Sequence, residues 1–287
     1  TVASAHREFF DSEEAIADAK AEIFTGLPPD GIAVLNRDNR HFERLAAQAR
    51  NAGVGHILTF GIDGAADVRA QDIVLHETLS CVAADVAGTR LFFKVGIPGR
   101  HWVMNALGAL AVVHALDGDL SLAALALAEL RPLAGRGARA RIATKRGHAT
   151  VIDESYNANP ESMRAALAVL GAAQTRGSGR RIAVLGDMME LGADATRAHG
   201  DLASAVIAAK ADLVIATGPL MRALAERLIA AGMRCLMAAD ADGAYEALMP
   251  RLRDGDVILV KGSNASGMQR LVDRLKLPPR ARPRSDD

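Results

Sequence analysis

The sequence is poor in aromatic side chains. Phe, Trp and Tyr together make up 3 % of its 287 residues, with a single Trp. Hydrophobic residues nevertheless reach 50 %, so Ala, Leu, Val and Ile must build the core. Cysteine is nearly absent. Cys81 and Cys235 stand far apart, which excludes a disulfide framework and predicts buried thiols in a reducing compartment. Charge of either sign is not in excess, with 34 Lys plus Arg against 34 Asp plus Glu. That balance removes the electrostatic case for nucleic-acid binding. Long apolar runs are missing too. "ALGALAVVHAL" is too short to cross a bilayer, so no membrane insertion is expected. No charged segment followed by an apolar one opens the chain, so no signal peptide is read. The first residue is Thr1, and the chain reads as a piece of something longer.

Two phosphate-binding patterns are also absent. No GxxxxGK[ST] loop occurs anywhere. "RIAVLGDMMELG" (181–192) follows a strand, but Gly186 and Gly192 are too widely spaced for a dinucleotide fingerprint.

What is present is an alternation of strands and helices. "DSEEAIADAKAEIFTGL" reads as a helix with Asp11 as cap and Glu14 three residues on, its apolar side marked by Ile16, Ile23 and Phe24. "GIAVLN" is a strand, and a helix is expected from about Asp38 to Gly53. "HILTFG" is another strand. Residues 72–97 read as two strands, "DIVLHET" and "RLFFKVGIPG", separated by Gly88. Two Ala/Leu-rich helices follow. "RPLAGRGARARI" has Pro, two Gly and four Arg in twelve residues, and reads as the domain boundary. Beyond it, "TVIDE", "RIAVLGD", "DLVIAT", "RCLMAA" and "DVILVKG" alternate with helices, the pattern of a parallel α/β sheet.

Polar groups gather at several strand ends. "DESYNANPESM" (153–163) packs acid, phenol and amide groups just before a helix-opening proline, more than a plain turn requires. Asp187 is read as a helix cap or a polar group held at a strand end. Lys20 lies near the apolar residues of its helix. It is either a snorkelling lysine or one able to react as a free amine. Asn36 and Asp38 in "NRDN" could cap a helix or bind a sugar or base. "GRHWVMN" opens a helix whose amides could receive a polar ligand, with capping as the plainer role of His101 and Asn105. "VKGSNASGM" (260–268) places a lysine, a glycine turn and small hydroxyls where a carboxylate or phosphate could sit. "GSGRR" (177–181) reads as a polar turn only.

"YNANPESMRAAL", followed by "RIAVLGDMMELG" and "VKGS", resembles the Mur ligase family. The resemblance runs over nearly the whole chain, from "AHREFFDSEEAIADAKAEIF" to "VKGSNASGM". It implies an α/β fold: a partial central ATP-binding domain over 1–138, a Rossmann-like parallel-sheet domain over 139–278 and a disordered tail over 279–287. It implies an ATP-dependent amide ligase of peptidoglycan synthesis in the bacterial cytoplasm. The substrates would be UDP-N-acetylmuramoyl-tripeptide and D-alanyl-D-alanine, joined through an acyl phosphate, with ATP and Mg2+ as cofactors. The resemblance makes His6 a magnesium ligand, Lys20 the family's carbamylated lysine and Asp153 a second catalytic group. It puts Asn36, Asp38, His101, Asn105, Tyr156, Asn157 and Asn159 near the nucleotide. Asp187, Lys261, Ser263 and Asn264 fall near the incoming substrate. Trp102 and Asn264 depart from the family's usual residues.

The family's uridine-binding domain and P-loop would precede residue 1. The chain alone is therefore expected to show no ligase activity and to leave Lys20 unmodified. Its "GIAVLN" strand is expected to expose an edge open to self-association. Alternatives are a non-catalytic binding protein on the same fold, or a folylpolyglutamate synthase-like ligase. The segments at 153–159, Asp187, Thr217 and 261–264 are expected to share one carboxyl rim, with Asn157, Asn159, Asp187 and Lys261 lining one cleft that faces the central domain.

Overall fold

The structure, a computed structural model, describes residue 10 and residues 12–145 and 147–277. The expectations placed on His6, on Asp11 as a cap and on the 279–287 tail lie outside these residues. The chain divides into two compact units, the first ending at Arg131 and also taking in Glu190–Gly192, the second beginning at Pro132.

The first unit opens with α1 (Glu13–Ala21), continued by a 3-10 turn over Glu22–Gly26. Its cap is Ser12, whose hydroxyl accepts from the Ala15 amide at 3.1 Å. The turn of tighter pitch rotates Ile23 out to solvent, 73 % exposed, while Ile16 and Phe24 stay buried. A five-stranded sheet follows in the order β1-β2-β3-β4-β5. These are β1 (Ile32–Asn36), β2 (His56–Gly61), β3 (Val68–Leu75), β4 (Ser80–Val86) and β5 (Thr89–Val95). The first three are parallel and the last three antiparallel.

The region 72–97 thus holds most of three strands, not two. "SCVAADV" is a strand in its own right, turning into β5 through Ala87 and Gly88. Both have positive φ, 47° and 89°, as a tight two-residue hairpin requires. Between β1 and β2, helix α2 (Phe42–Asn51) starts four residues later than the sequence suggests. Helix α3 (Arg100–Ala115) packs Val103, Leu107 and Leu110 onto Val68, Val82, Val86 and Phe93. On β1, Ala33 and Leu35 pack with α1 and α2, while Val34 packs with the α3 cluster. That alternation is the two-residue period of a strand covered on both faces. Among the described residues β1 pairs on one side only. Helix α4 (Leu120–Ala128), capped by Asp119, lies against β5. An apolar groove of about 810 Å³ runs beside it, lined by Val74, Leu91, Phe92 and Leu125 with Asp72 and Lys94.

The second unit is a six-stranded sheet in the order β10-β9-β8-β11-β7-β6. Its strands are β6 (Ala138–Thr144), β7 (Gly147–Glu154), β8 (Arg181–Gly186), β9 (Leu213–Thr217), β10 (Cys235–Ala238) and β11 (Val257–Lys261). Five are parallel, as the alternation of elements requires, but β6 runs antiparallel to β7. Residues 138–142, part of the stretch read as the domain boundary, are therefore strand. "ARARI" alternates with period two, and Ile142 is buried at 3 %. β9 and β11 are buried throughout, and β8 from Ile182 on.

The helices are α5 (Pro160–Ala172), α6 (Ala195–Gly200), α7 (Ala203–Ala208), α8 (Arg222–Ala230), α9 (Ala241–Leu248) and α10 (Met268–Lys276). The chain steps outward from β7 to β8, β9 and β10, then returns to place β11 between β8 and β7. Right-handed crossovers make that reversal change faces. α5 and α8 touch the strands on the outward path. α9 and α10 pack Ala244, Leu248, Leu271 and Val272 with Val151, Val184, Ile215 and Val260. Cys81 and Cys235 are free and half-buried, one in each unit. Burial pushes the Cys235 thiol up to about 11, so it is inert as a thiolate at neutral pH. No described helix is long and apolar enough to cross a membrane.

Candidate functional site

The carboxyl ends of β7, β8, β9 and β11 form one rim in the second unit. Lys261 pairs in register with Glu154 on one side and Leu185 on the other. Gly186 pairs with Thr217. The residues that follow these strands are bonded to one another across the rim.

The loop after β7 carries most of the polar groups. Asp153 is fully buried. One carboxylate oxygen accepts from the Ser155 amide at 3.2 Å and its hydroxyl at 2.6 Å. The other accepts from the Gly135 amide at 3.0 Å and faces the Lys276 ammonium at 3.4 Å. A carboxylate so enclosed holds two loops together, and no face is left open to a substrate. The structure shows Asp153 as a group that positions these loops.

Asn159 is likewise committed. Its side chain accepts from the Ser162 amide at 2.8 Å, and Ser162 Oγ accepts from the Asn159 amide at 3.0 Å. With Pro160 at the first helical position, this is a capping box for α5.

Tyr156 and Asn157 are the exposed members of the loop. The Tyr156 amide donates to Gly135 O at 3.1 Å, and the Arg136 guanidinium lies 4.1 Å from its ring centroid. Gly135 has φ +73°, and a Cβ there would meet the Tyr156 amide nitrogen at 3.0 Å, so the contact needs glycine. Asn157 Oδ1 accepts from the Ala158 amide at 2.8 Å. An N–H requires an oxygen there, which leaves the Asn157 NH2 as the outward group. The loop therefore presents a phenol and an amide donor, suited to an oxygen acceptor.

The loops after β8, β9 and β11 join in the same way. Asp187 is 7 % exposed. Its carboxylate accepts from the Met221 amide at 3.0 Å, and burial raises its pKa. Gly218 has φ +101°, and a Cβ there would come 2.5 Å from Asp187 Oδ2. Asp187 thus secures the β9 loop and caps no helix of its own. Its carbonyl accepts from the Ser263 amide at 3.0 Å. Gly262 lets β11 approach β8, because a Cβ there would lie 3.0 Å from Gly186 Cα. Lys261 is 2 % exposed, and its ammonium donates to Asn157 O at 2.9 Å. Asn264 is exposed in the 3-10 turn that follows. The hydroxyls of Ser263 and Thr217 are buried without a hydrogen-bond partner among the described residues. Such groups mark where water or a ligand oxygen is needed.

Asn157, Asn159, Asp187 and Lys261 all lie at the carboxyl ends of strands on this one edge. Only Asn157 among them turns its side chain outward.

His199 buttresses this rim from α6 and was not singled out by the sequence. It is fully buried. Its Nε2 accepts from the Met188 amide at 2.8 Å, and Nδ1 lies 2.6 Å from Ala195 O. Both bonds fix the neutral tautomer with the proton on Nδ1. Burial lowers its pKa below the ordinary 6.5, opposed by the Ala195 carbonyl and Asp187. An unfolded chain binds the proton near pH 6.5, while the folded one resists. Stability from this group is full above about pH 6.5 and falls with acidity until the folded pKa is passed. The slope is at most ~1.4 kcal/mol per pH unit. Denaturant titrations of wild type and His199→Gln between pH 7.5 and 5 should diverge in this direction (~0.5–2 kcal/mol in total). Parallel curves would remove His199 from the account.

In the first unit, Asn36 and Asp38 cap no helix. Asn36 accepts from the Asp38 amide at 2.9 Å. The Asp38 carboxylate accepts from Ile62, Asp63 and Gly64 amides at 2.5, 3.1 and 2.8 Å. It ties the end of β1 to the end of β2. Asp63 in turn pairs with Arg100 at the start of α3. "NRD" and "GRHWVMN" are thereby joined through the β2–β3 loop. His101 is half-buried against Trp102, and Asn105 is exposed one turn on. Gly99 is the N-cap of α3, so neither of them caps it. Lys20 is exposed in the last turn of α1.

Comparison with known proteins gives a consistent result. Residues 1–113 match the Mur ligase middle domain, and residues 138–264 match the Mur ligase, glutamate ligase domain. The UDP-N-acetylmuramoyl-tripeptide–D-alanyl-D-alanine ligase of Mycobacterium tuberculosis is 33 % identical over 298 residues, covering 96 % of this chain and 56 % of that protein. The ligase of the same name from Escherichia coli K12 is 32 % identical, covering 96 % and 58 %. A crystal structure of MurF from Acinetobacter baumannii superposes with a TM-score of 0.82 at 26 % identity, covering 96 % of this chain and 58 % of that one. The chain spans a little over half the length of the curated relatives it matches.

Proposed function

The chain belongs to the Mur ligase family, and we propose that it supplies the acyl-acceptor end of a UDP-N-acetylmuramoyl-tripeptide–D-alanyl-D-alanine ligase in the bacterial cytoplasm. The observation that carries this reading is identity of 33 % sustained over 96 % of the chain. In the reaction, the amine nitrogen of D-alanyl-D-alanine attacks the activated carbonyl of the tripeptide. A C–N bond forms, the carbon–oxygen bond to phosphate breaks, phosphate leaves with the electron pair, and the amine gives up a proton.

ATP and Mg2+ are the cofactors this reading calls for, but the described residues do not fit them unaided. Asp38 spends its carboxylate on three amides. No group of three or more metal-ligating side chains occurs among the described residues. The 287 residues contain no GxxxxGK[ST] loop.

The chain's own contribution is at the rim. The Asn157 NH2 and the Tyr156 hydroxyl are donors for a carboxylate or for the oxygen of a tetrahedral intermediate. The unpartnered Ser263 hydroxyl supports the same reading. An NMR titration of the 287-residue chain tests it. D-alanyl-D-alanine is expected to shift Tyr156, Asn157 and Ser263 amides, and D-glutamate to leave them in place. Equal shifts with both ligands, or none with the dipeptide, would end the proposal. Supplied with all substrates, the same chain should release no phosphate, for want of the phosphate-binding loop.

A further inference from the structure

The geometry points to Lys261 and Glu154 as a buried strap that positions the Tyr156–Asn157 loop, with Lys261 making no contact with substrate. An ammonium has three hydrogens and no acceptor. At the end of β11 its partners are the last residue of β7 and the loop that follows it. The short bond is to Asn157 O at 2.9 Å. Glu154 O lies at 3.5 Å and Glu154 Oε2 at 3.7 Å. The Lys261 side chain is 3 % exposed and that of Glu154 15 %, so a ligand would have to displace one of these partners to reach the charge.

Burial works against both charges, lowering the Lys261 pKa and raising that of Glu154, and their mutual attraction opposes it. Arg136 adds a second point of attachment through the Tyr156 ring. With its carbonyl drawn inward to Lys261, Asn157 is left to turn its NH2 outward. The loop is thus held from beneath by its backbone while its side chains stay free for recognition. This strap is a property of the second unit. Only its use in binding rests on the ligase reading.

Amide hydrogen exchange of the ligand-free chain tests the strap without reference to any substrate. Lys261→Met should speed exchange at Tyr156 and Ala158 by roughly tenfold or more, the change expected when a charged hydrogen bond is lost. β8 amides from Ile182 to Leu185 should keep their rates. The Glu154→Gln/Lys261→Met pair leaves no lone buried charge, so it controls for a fold weakened by the single variant. It should show the same local acceleration. Glu154→Gln alone keeps the bond to Asn157 O and should leave the loop protected. Unchanged exchange at Tyr156 and Ala158 in the double variant would overturn the inference. So would equal acceleration along β8, or an effect of Glu154→Gln as large as that of Lys261→Met. Loss of dipeptide binding with the strap intact would instead count against the ligase reading alone.

Discussion

Replacing Asp256 with alanine should cost the second unit roughly 3–5 kcal/mol, the toll of breaking a buried ion pair from one side. Asp256 is fully buried. Its carboxylate accepts from the Arg180 amide at 2.8 Å, from Arg180 Nη2 at 2.8 Å and from the Arg253 amide at 2.9 Å. Arg180 also reaches Arg251 O at 2.6 Å. Alanine would leave a mostly buried guanidinium and two amides without their acceptor. Asp256→Asn retains one oxygen and should cost less. Chemical denaturation followed by circular dichroism measures the difference. A loss below about 1 kcal/mol for Asp256→Ala, the level of a surface pair, would show that this cluster does not anchor the unit.

The second large effect is expected at Asp153. Asp153→Ala removes acceptors from the Gly135 amide, the Ser155 amide and the Ser155 hydroxyl at once. Buried donors left without a partner cost about 1–3 kcal/mol each. Allowing for relaxation, the unfolding free energy should fall by roughly 2–4 kcal/mol. A residue acting only on substrate would leave it unmoved. Proteolytic susceptibility at 133–137 and 155–158 should rise together, because one carboxylate holds both loops. Wild-type stability in Asp153→Ala would restore the catalytic assignment that the burial argues against.

Much of the second unit was legible in the sequence because its strands are short apolar runs separated by amphipathic helices. "RIAVLG", "DLVIA" and "DVILV" can bury both faces in only one kind of sheet. β6 was not legible in the same way. Its arginines mimic a linker, and only the period of two betrays a strand. β4 was hidden because "SCVAADV" is weakly apolar and its hairpin turn uses Ala87, where glycine or asparagine is the usual signal.

The candidate site divides along the same line. Sequence placed the polar groups at one rim, since each follows a strand. It could not say which were spent internally. Asn159 as a cap is readable from Asn-Pro-x-Ser spacing. The Asp153–Gly135, Lys261–Asn157 and Arg180–Asp256 contacts join residues distant in sequence, and no local pattern reports them. Glu154 and Arg136 went unremarked for that reason, and "GSGRR" passed for a plain turn.

The single indole lies in the first unit, at Trp102 on α3, while both phenols, Tyr156 and Tyr245, lie in the second. Light absorbed at the red edge of the protein band is taken up by indole alone. Fluorescence excited there follows the first unit and is silent on the second, whereas far-ultraviolet ellipticity sums over both. A melt recorded in the two channels therefore separates the unfolding of two bodies that one channel would report as a single transition. The Asp153 and Asp256 substitutions should displace the ellipticity curve.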